Sequence, residues 1–113
     1  MEATPFKTVW DEPEYTAYYN EYIFDTGEVM TLFHLDVFYF SASILRQMLR
    51  QWEVFREHNP VVLFCHGEVD DEKFAKFVSK FGFKPLKVVP CSDGVNRRLF
   101  VNFGPEKGAA KDF

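Results

Sequence analysis

Hydrophobic positions along the chain change their period twice, and those changes divide it into elements. Tyr15 to Phe24 is rich in Tyr, Thr, Ile and Phe, and Val29 to Phe40 is similar. β-Branched and aromatic side chains suit extended backbone, so both stretches are predicted strands. Asp25-Thr26-Gly27-Glu28 between them predicts a hairpin turn, because Gly27 takes positive φ without steric cost. In the second stretch Phe33, Leu35, Val37 and Tyr39 share one face, opposite Leu32, His34, Asp36, Phe38 and Phe40. That second face becomes apolar toward its end, which predicts deeper burial as the strand proceeds. A short strand is predicted over Phe6 to Trp10.

The period then lengthens. Leu45, Met48, Leu49, Trp52 and Phe55 recur at helical spacing, with Arg46, Gln47, Arg50, Gln51, Glu53 and Arg56 predicted to face outward. Ser41 or Ser43 caps this helix and Asn59-Pro60 stops it. Val61 to Cys65 is a continuous apolar run, the pattern of a strand covered on both faces. A second helix is capped by Asp70 or Asp71, carries the stripe Phe74, Phe77, Val78 and Phe81, and ends at Gly82. Leu86 to Val89 and Arg97 to Phe103 are two further strands, joined through Cys91-Ser92-Asp93-Gly94.

The order is strands, helix, strand, helix, strand, strand. Strand–helix–strand connections imply a parallel pair, and the flanking hairpins supply antiparallel ones. The predicted fold class is α/β (α+β), with a mixed, mostly antiparallel central sheet of about six or seven strands and two helices. Residues 1–103 read as one domain and 104–113 as a flexible C-terminal tail.

Composition adds one unusual feature and removes two function classes. Fourteen Phe, five Tyr and two Trp make 19% of the chain aromatic, more large rings than a domain this small readily hides. Thirteen Lys and Arg against seventeen Asp and Glu give a net charge of −4, the wrong sign for a nucleic-acid partner. No apolar run approaches the ~20 residues of a membrane helix, and Met1-Glu2-Ala3-Thr4-Pro5 does not read as a signal peptide. Cys65 and Cys91 form neither a disulfide framework nor a zinc-ligand spacing. The expected location is cytoplasmic.

The element order, with a helix ending in Lys80-Phe81-Gly82-Phe83, resembles the second half of the GNAT superfamily of N-acetyltransferases, over about Val29 to Phe103. The resemblance implies acetyl-CoA as the cofactor of an active member, its pyrophosphate held where the first helix begins. Here that junction is Ser41, Ala42, Ser43, Ile44, Leu45 and Arg46, without the glycines of the family's Gln/Arg-x-x-Gly-x-Gly/Ala pattern. Many members place a proton-donating Tyr four residues before the Gly of the Gly-Phe turn; this chain has Val78. Members also carry two helices between their first and second strands, and fewer than ten residues separate Trp10 from Tyr18. The layout is similar to that of small GNAT-like proteins of tailed phages, some virion-associated, which adds the host cytoplasm or the virion as a location.

Two functions follow as expectations. One is a binding or assembly protein that keeps the fold without the chemistry, its partner a protein or a second copy of the chain. The alternative is an acetyl-CoA-dependent N-acetyltransferase, with Glu68 or His66 as base. Cys65 and His66 are strand neighbours on opposite faces, which argues against their acting as a nucleophile pair. Trp10, Tyr15, Tyr18, Tyr19 and Tyr22 are the interface candidates, since Tyr and Trp are favoured at binding hot spots; core packing accounts for the same residues equally well. Arg46, Arg50 and Arg56 read as a solvated helix face that Arg97 and Arg98 would widen. Asp70, Asp71 and Glu72 complement a helix start, His34, His58 and His66 are scattered, and no metal site is expected.

Overall fold

A computed structural model describes residues 2–104. Its elements are β1 (Glu2–Ala3), β2 (Lys7–Asp11), β3 (Tyr15–Ile23), β4 (Val29–Val37), α1 (Ala42–His58), β5 (Leu63–Glu68), α2 (Glu72–Ser79), β6 (Lys84–Pro90) and β7 (Asn96–Asn102). The strands form one sheet in the order β1-β3-β4-β5-β7-β6, with β2 also paired to β3. Among the described strands only β4 and β5 run parallel, and their other pairings are antiparallel. The mixed, mostly antiparallel sheet with two helices is the predicted architecture. The segment after Gly104, expected to be a tail, lies outside the described residues.

The turns form where the backbone demands. Gly27, Gly82 and Gly94 all have positive φ, at the β3–β4 turn, past the end of α2 and in the β6–β7 turn. Ser41 caps α1 by accepting the Ile44 N–H at 3.2 Å, and Asp71 caps α2 by accepting the Phe74 N–H at 3.0 Å.

Alternation along the strands sorts side chains onto two faces. One carries Tyr15, Ala17, Phe33, Leu63, Cys65 and Phe100, which pack with Ile44, Met48 and Trp52 of α1 and Val78 of α2. Trp52 is the hub, meeting Phe33 at 5.2 Å, Phe81 at 5.5 Å and Trp10 at 6.4 Å in edge-on geometry. Such pairs contribute about 0.5–1.5 kcal/mol each beyond their buried area. Because both described helices pack here, the opposite face, with Tyr18, Asn20, Tyr22, His34, Asp36 and His66, carries no helix among the described residues.

Several sequence expectations are corrected. Phe38, Tyr39 and Phe40 do not continue the strand into the interior but stand exposed. The Phe38 and Tyr39 amides both donate to the Glu14 carbonyl, which turns the chain out of the ladder after Val37. Val61 and Val62 are also exposed, and β5 starts at Leu63 with His66 open to solvent, so that strand is not covered on both faces. Arg56 is buried rather than solvated: Ile44, Met48, Trp52 and Arg56 recur every four residues and face the sheet. The Arg56 guanidinium donates to the Asn59 carbonyl at 2.9 Å and to Asn102 Oδ1 at 3.0 Å, tying the end of α1 to the end of β7. Gln47 and Gln51 are turned inward by the Tyr15 hydroxyl, which accepts from Gln47 Nε2 at 2.9 Å and donates to Gln51 Oε1.

Candidate functional site

The parallel junction at the centre of the sheet is short. Thr31 pairs with Leu63 and Leu32 with Phe64, and there the ladder between β4 and β5 ends. Both strands continue, β4 to Val37 against β3 and β5 to Glu68 against β7. The inner edges therefore part into a V-shaped notch, leaving main-chain groups there without a ladder partner. A cavity of ≈ 330 Å³ occupies the notch.

The walls differ in chemistry. Toward the helices the cavity is lined by Trp10, Phe33, Trp52, Phe74, Phe77, Val78, Phe81 and Phe83. Toward the helix-free face it is lined by Tyr18, His34, Asp36 and His66. The register that pairs Leu32 with Phe64 sets His34 level with His66, two residues further along each strand, and their rings lie 6.2 Å apart, edge to face.

His34 is held on several sides. Tyr18 stacks on its ring at 5.1 Å, and Phe6 meets both rings edge-on at 5.2 and 5.3 Å. Asn20 Oδ1 lies 3.2 Å from His34 Nε2. An amide oxygen only accepts, so this contact assigns the proton to Nε2 and leaves Nδ1 with a lone pair. Burial, then the neighbouring His66, holds His34 below the usual imidazole range, with Asp36 opposing. His66, exposed on one side, is lowered too, first by the partial desolvation of its ring beside the notch and then by Arg97. Both are therefore neutral at pH 7. Tyr18 completes the rim by donating its hydroxyl to Asp36 Oδ2 at 2.9 Å, and burial raises its pKa.

Of the residues predicted as catalytic, His66 lies on the notch and Glu68 is exposed outside the cavity lining. Of the proposed interface, Trp10 and Tyr15 are buried in the core, Trp10 among the rings that line the cavity. Tyr18 belongs to the notch rim, while Tyr19 and Tyr22 are half-buried. Ser41 to Arg46 form the capped start of α1, and none of them lines the cavity. Cys65 lines the cavity, where burial pushes its thiol up to about 12. No group of three or more His, Cys, Asp or Glu able to hold a metal occurs among the described residues. No described helix is long and apolar enough to cross a membrane.

Sequence reasoning passed over His34, Asp36 and Asn20. His34 and Asp36 shared a face in the predicted strand, but nothing in the sequence sets the β4–β5 register that aligns His34 with His66.

No known family's sequence pattern matches the chain, and no curated protein matches it in sequence. Its fold is similar to that of an aminoglycoside N(6′)-acetyltransferase from Legionella pneumophila subsp. pneumophila str. Philadelphia 1, with TM-score 0.60 and 11% identity over 80% of this chain and 56% of that one. It is also similar to an uncharacterized protein from Bacillus halodurans, with TM-score 0.51 and 16% identity over 81% of this chain and 60% of that one. The chain spans less than two thirds of either structure. The fold is GNAT-like.

Proposed function

We propose that this GNAT-like domain is a binding module that keeps the notch without the chemistry of acyl transfer. One observation carries the reading: the α2 side of the cavity is apolar throughout, with Phe74, Phe77, Val78, Phe81 and Phe83. Where a thiolate would depart, no side chain on that wall offers a proton. Cys65, held at about 12, stays a neutral thiol and a weak nucleophile. An acyl-pantetheine arm would have to lie along this largely aromatic cavity. Its diphosphate finds no glycine in the loop before α1, where the Ile44 amide is taken by Ser41. The occupant in this reading is a protein or a second copy of the chain, and the particle-assembly role suggested by the phage-like layout is its most specific form.

N-Acyl transfer is the second reading, supported by the neutral His34 and His66 at the rim. Bound acetyl-CoA would supply the activated acyl group, and His34 Nδ1 would take a proton from an incoming amine. The two readings separate when acetyl-CoA is added with primary amines and released thiol is measured by a chromogenic disulfide. The binding-module reading expects no release above buffer and no thermal shift at millimolar acetyl-CoA. Release that disappears in His34→Gln would overturn it.

A further inference from the structure

We propose that two copies of this chain pack through the helix-free faces of their sheets, about a two-fold axis parallel to the strands, so that the acidic half of each face meets the basic half of the other. The inference rests on the binding-module reading and names the partner as a second copy.

Ladder register lays that face out in rows across the strands. The first row carries Asp11, Asp36, Glu68 and Arg97. The second runs Tyr18, His34, His66, Leu99 and Lys87, and the third Leu32, Phe64, Val101 and Lys84. Charge is segregated along these rows. The strand residues of the β2–β4 half contribute the acids Asp11 and Asp36, and those of the β6–β7 half the bases Lys84, Lys87 and Arg97. Lys84 and Lys87 make no ion pair among the described residues. Between the halves Leu32, Leu99 and Val101 are buried and Phe64 is half-buried. An uncharged centre inside a charged rim is how protein interfaces are built.

Symmetry and charge together select the arrangement. A two-fold axis along the strands, beneath β5, exchanges the two edges of the sheet and keeps its ends level. β4 of one copy then lies over β7 of the other, and β3 over β6, which brings Asp36 over the other copy's Arg97 and Lys87. An axis across the strands would lay acids on acids instead, and like charges so placed repel. Glu68 lies near the chosen axis, flanked in each copy by the Arg97 opposite it on the ladder. Sheets stack in this manner about 10 Å apart and at about 30°, and an isologous contact closes at two copies. The sheet edges do not compete, because β6 carries Pro85 and Pro90 and β1 spans only Glu2–Ala3. Five long strands at ~4.8 Å spacing, each about seven residues at ~3.3 Å, present roughly 550 Å² in flat projection. That approaches the ~800 Å² each partner contributes to a stable interface, and points to a dissociation constant in the micromolar range.

The test is sedimentation velocity of the full chain from micromolar to millimolar concentration. A concentration-dependent dimer is expected in low salt, weakened about tenfold in about 0.5 M sodium chloride. Asp36 and Lys87 are exposed, so Asp36→Lys and Lys87→Glu are expected to keep the fold, which circular dichroism checks. Each variant alone brings like charges together and is expected to dimerise about tenfold more weakly. Mixing the two is expected to restore association, since the mixed dimer pairs opposite charges at both contacts. Dilution of the ¹⁵N-labelled chain is expected to shift the amides of Tyr18, His66 and Leu99 and to spare the outer faces of both helices. A chain that stays monomeric at millimolar concentration in low salt would overturn the second copy as partner. Association that neither charge reversal weakens, or shifts confined to other surfaces, would overturn the face. Thiol release from acetyl-CoA would refute the underlying reading; a monomer without such release would refute this inference alone.

Discussion

β4 has two neighbours, and the contrast between them separates what holds this protein together from what it offers to a ligand. Against β3 it pairs along its entire length, from Ile23 opposite Val29 to Tyr15 opposite Val37. Against β5 it pairs only at Thr31 and Leu32. The first junction is a hairpin whose turn closes the register locally. The second joins strands separated by a whole helix, and the aromatic layer beneath it, rather than backbone pairing, holds its far ends. A sheet can thus be continuous on one side of a strand and open on the other without losing its core.

The sharpest test of that contrast is amide hydrogen exchange. Ladder amides shared by β3 and β4 should exchange only on global opening, which costs about 5–15 kcal/mol in domains of this kind. The amides of β4 and β5 that face the notch should exchange from the native state. Equal protection on both sides would erase the difference.

Trp52 packs on Phe33 of β4, the strand common to both junctions. Trp52→Ala is expected to destabilise by about 3–5 kcal/mol in urea denaturation, through lost burial and the cavity it leaves. A smaller effect is expected at Gly67, on the notch side of β5. A Cβ there would sit 2.4 Å from Cδ2 of the Phe74 ring, itself packed on Phe100. Gly67→Ala should cost about 1–3 kcal/mol as the ring is displaced, with amide shifts concentrated around the cavity. Ser41→Ala removes the hydroxyl that accepts the Ile44 amide and should cost about 1 kcal/mol.

The smallest effect is a dependence on pH. Burial first, then Arg97 at His66 and His66 at His34, lowers both imidazoles below the ordinary value of 6.5. The unfolded chain therefore binds more protons than the folded one as pH falls through that value. Stability present above it is lost on acidification. His34→Gln should flatten the decline in Tm between neutral and mildly acidic pH, and an unchanged slope would remove His34 from the account.

Local patterns were legible in the chain. Period-two and period-3.6 hydrophobicity located the longer strands and both helices, and the caps at Ser41 and Asp71 follow from short polar side chains beside orphan amides. What periodicity misread were residues whose burial depends on a distant partner. Arg56 looked like a surface cation, yet its four-residue spacing from Trp52 aims it at Asn102 on the last strand. Phe38 to Phe40 looked like core, yet the Glu14 carbonyl draws two of their amides away from the ladder.

The notch shows the same division. Aromatic stripes on two helices guaranteed an apolar layer, and the order of elements guaranteed a parallel pair somewhere in the sheet. How far that pair stays zipped, and that His34 meets His66 at its mouth, depends on the register of two strands whose paired residues Leu32 and Phe64 are separated in the chain by the whole of α1. Register across a helical crossover is set by packing, because no turn geometry connects such strands directly. The sequence by itself determined the elements and the residues rich enough to fill a core; tertiary packing alone decided where the sheet opens, since that opening is a balance between ladder bonds and rings that no local segment contains.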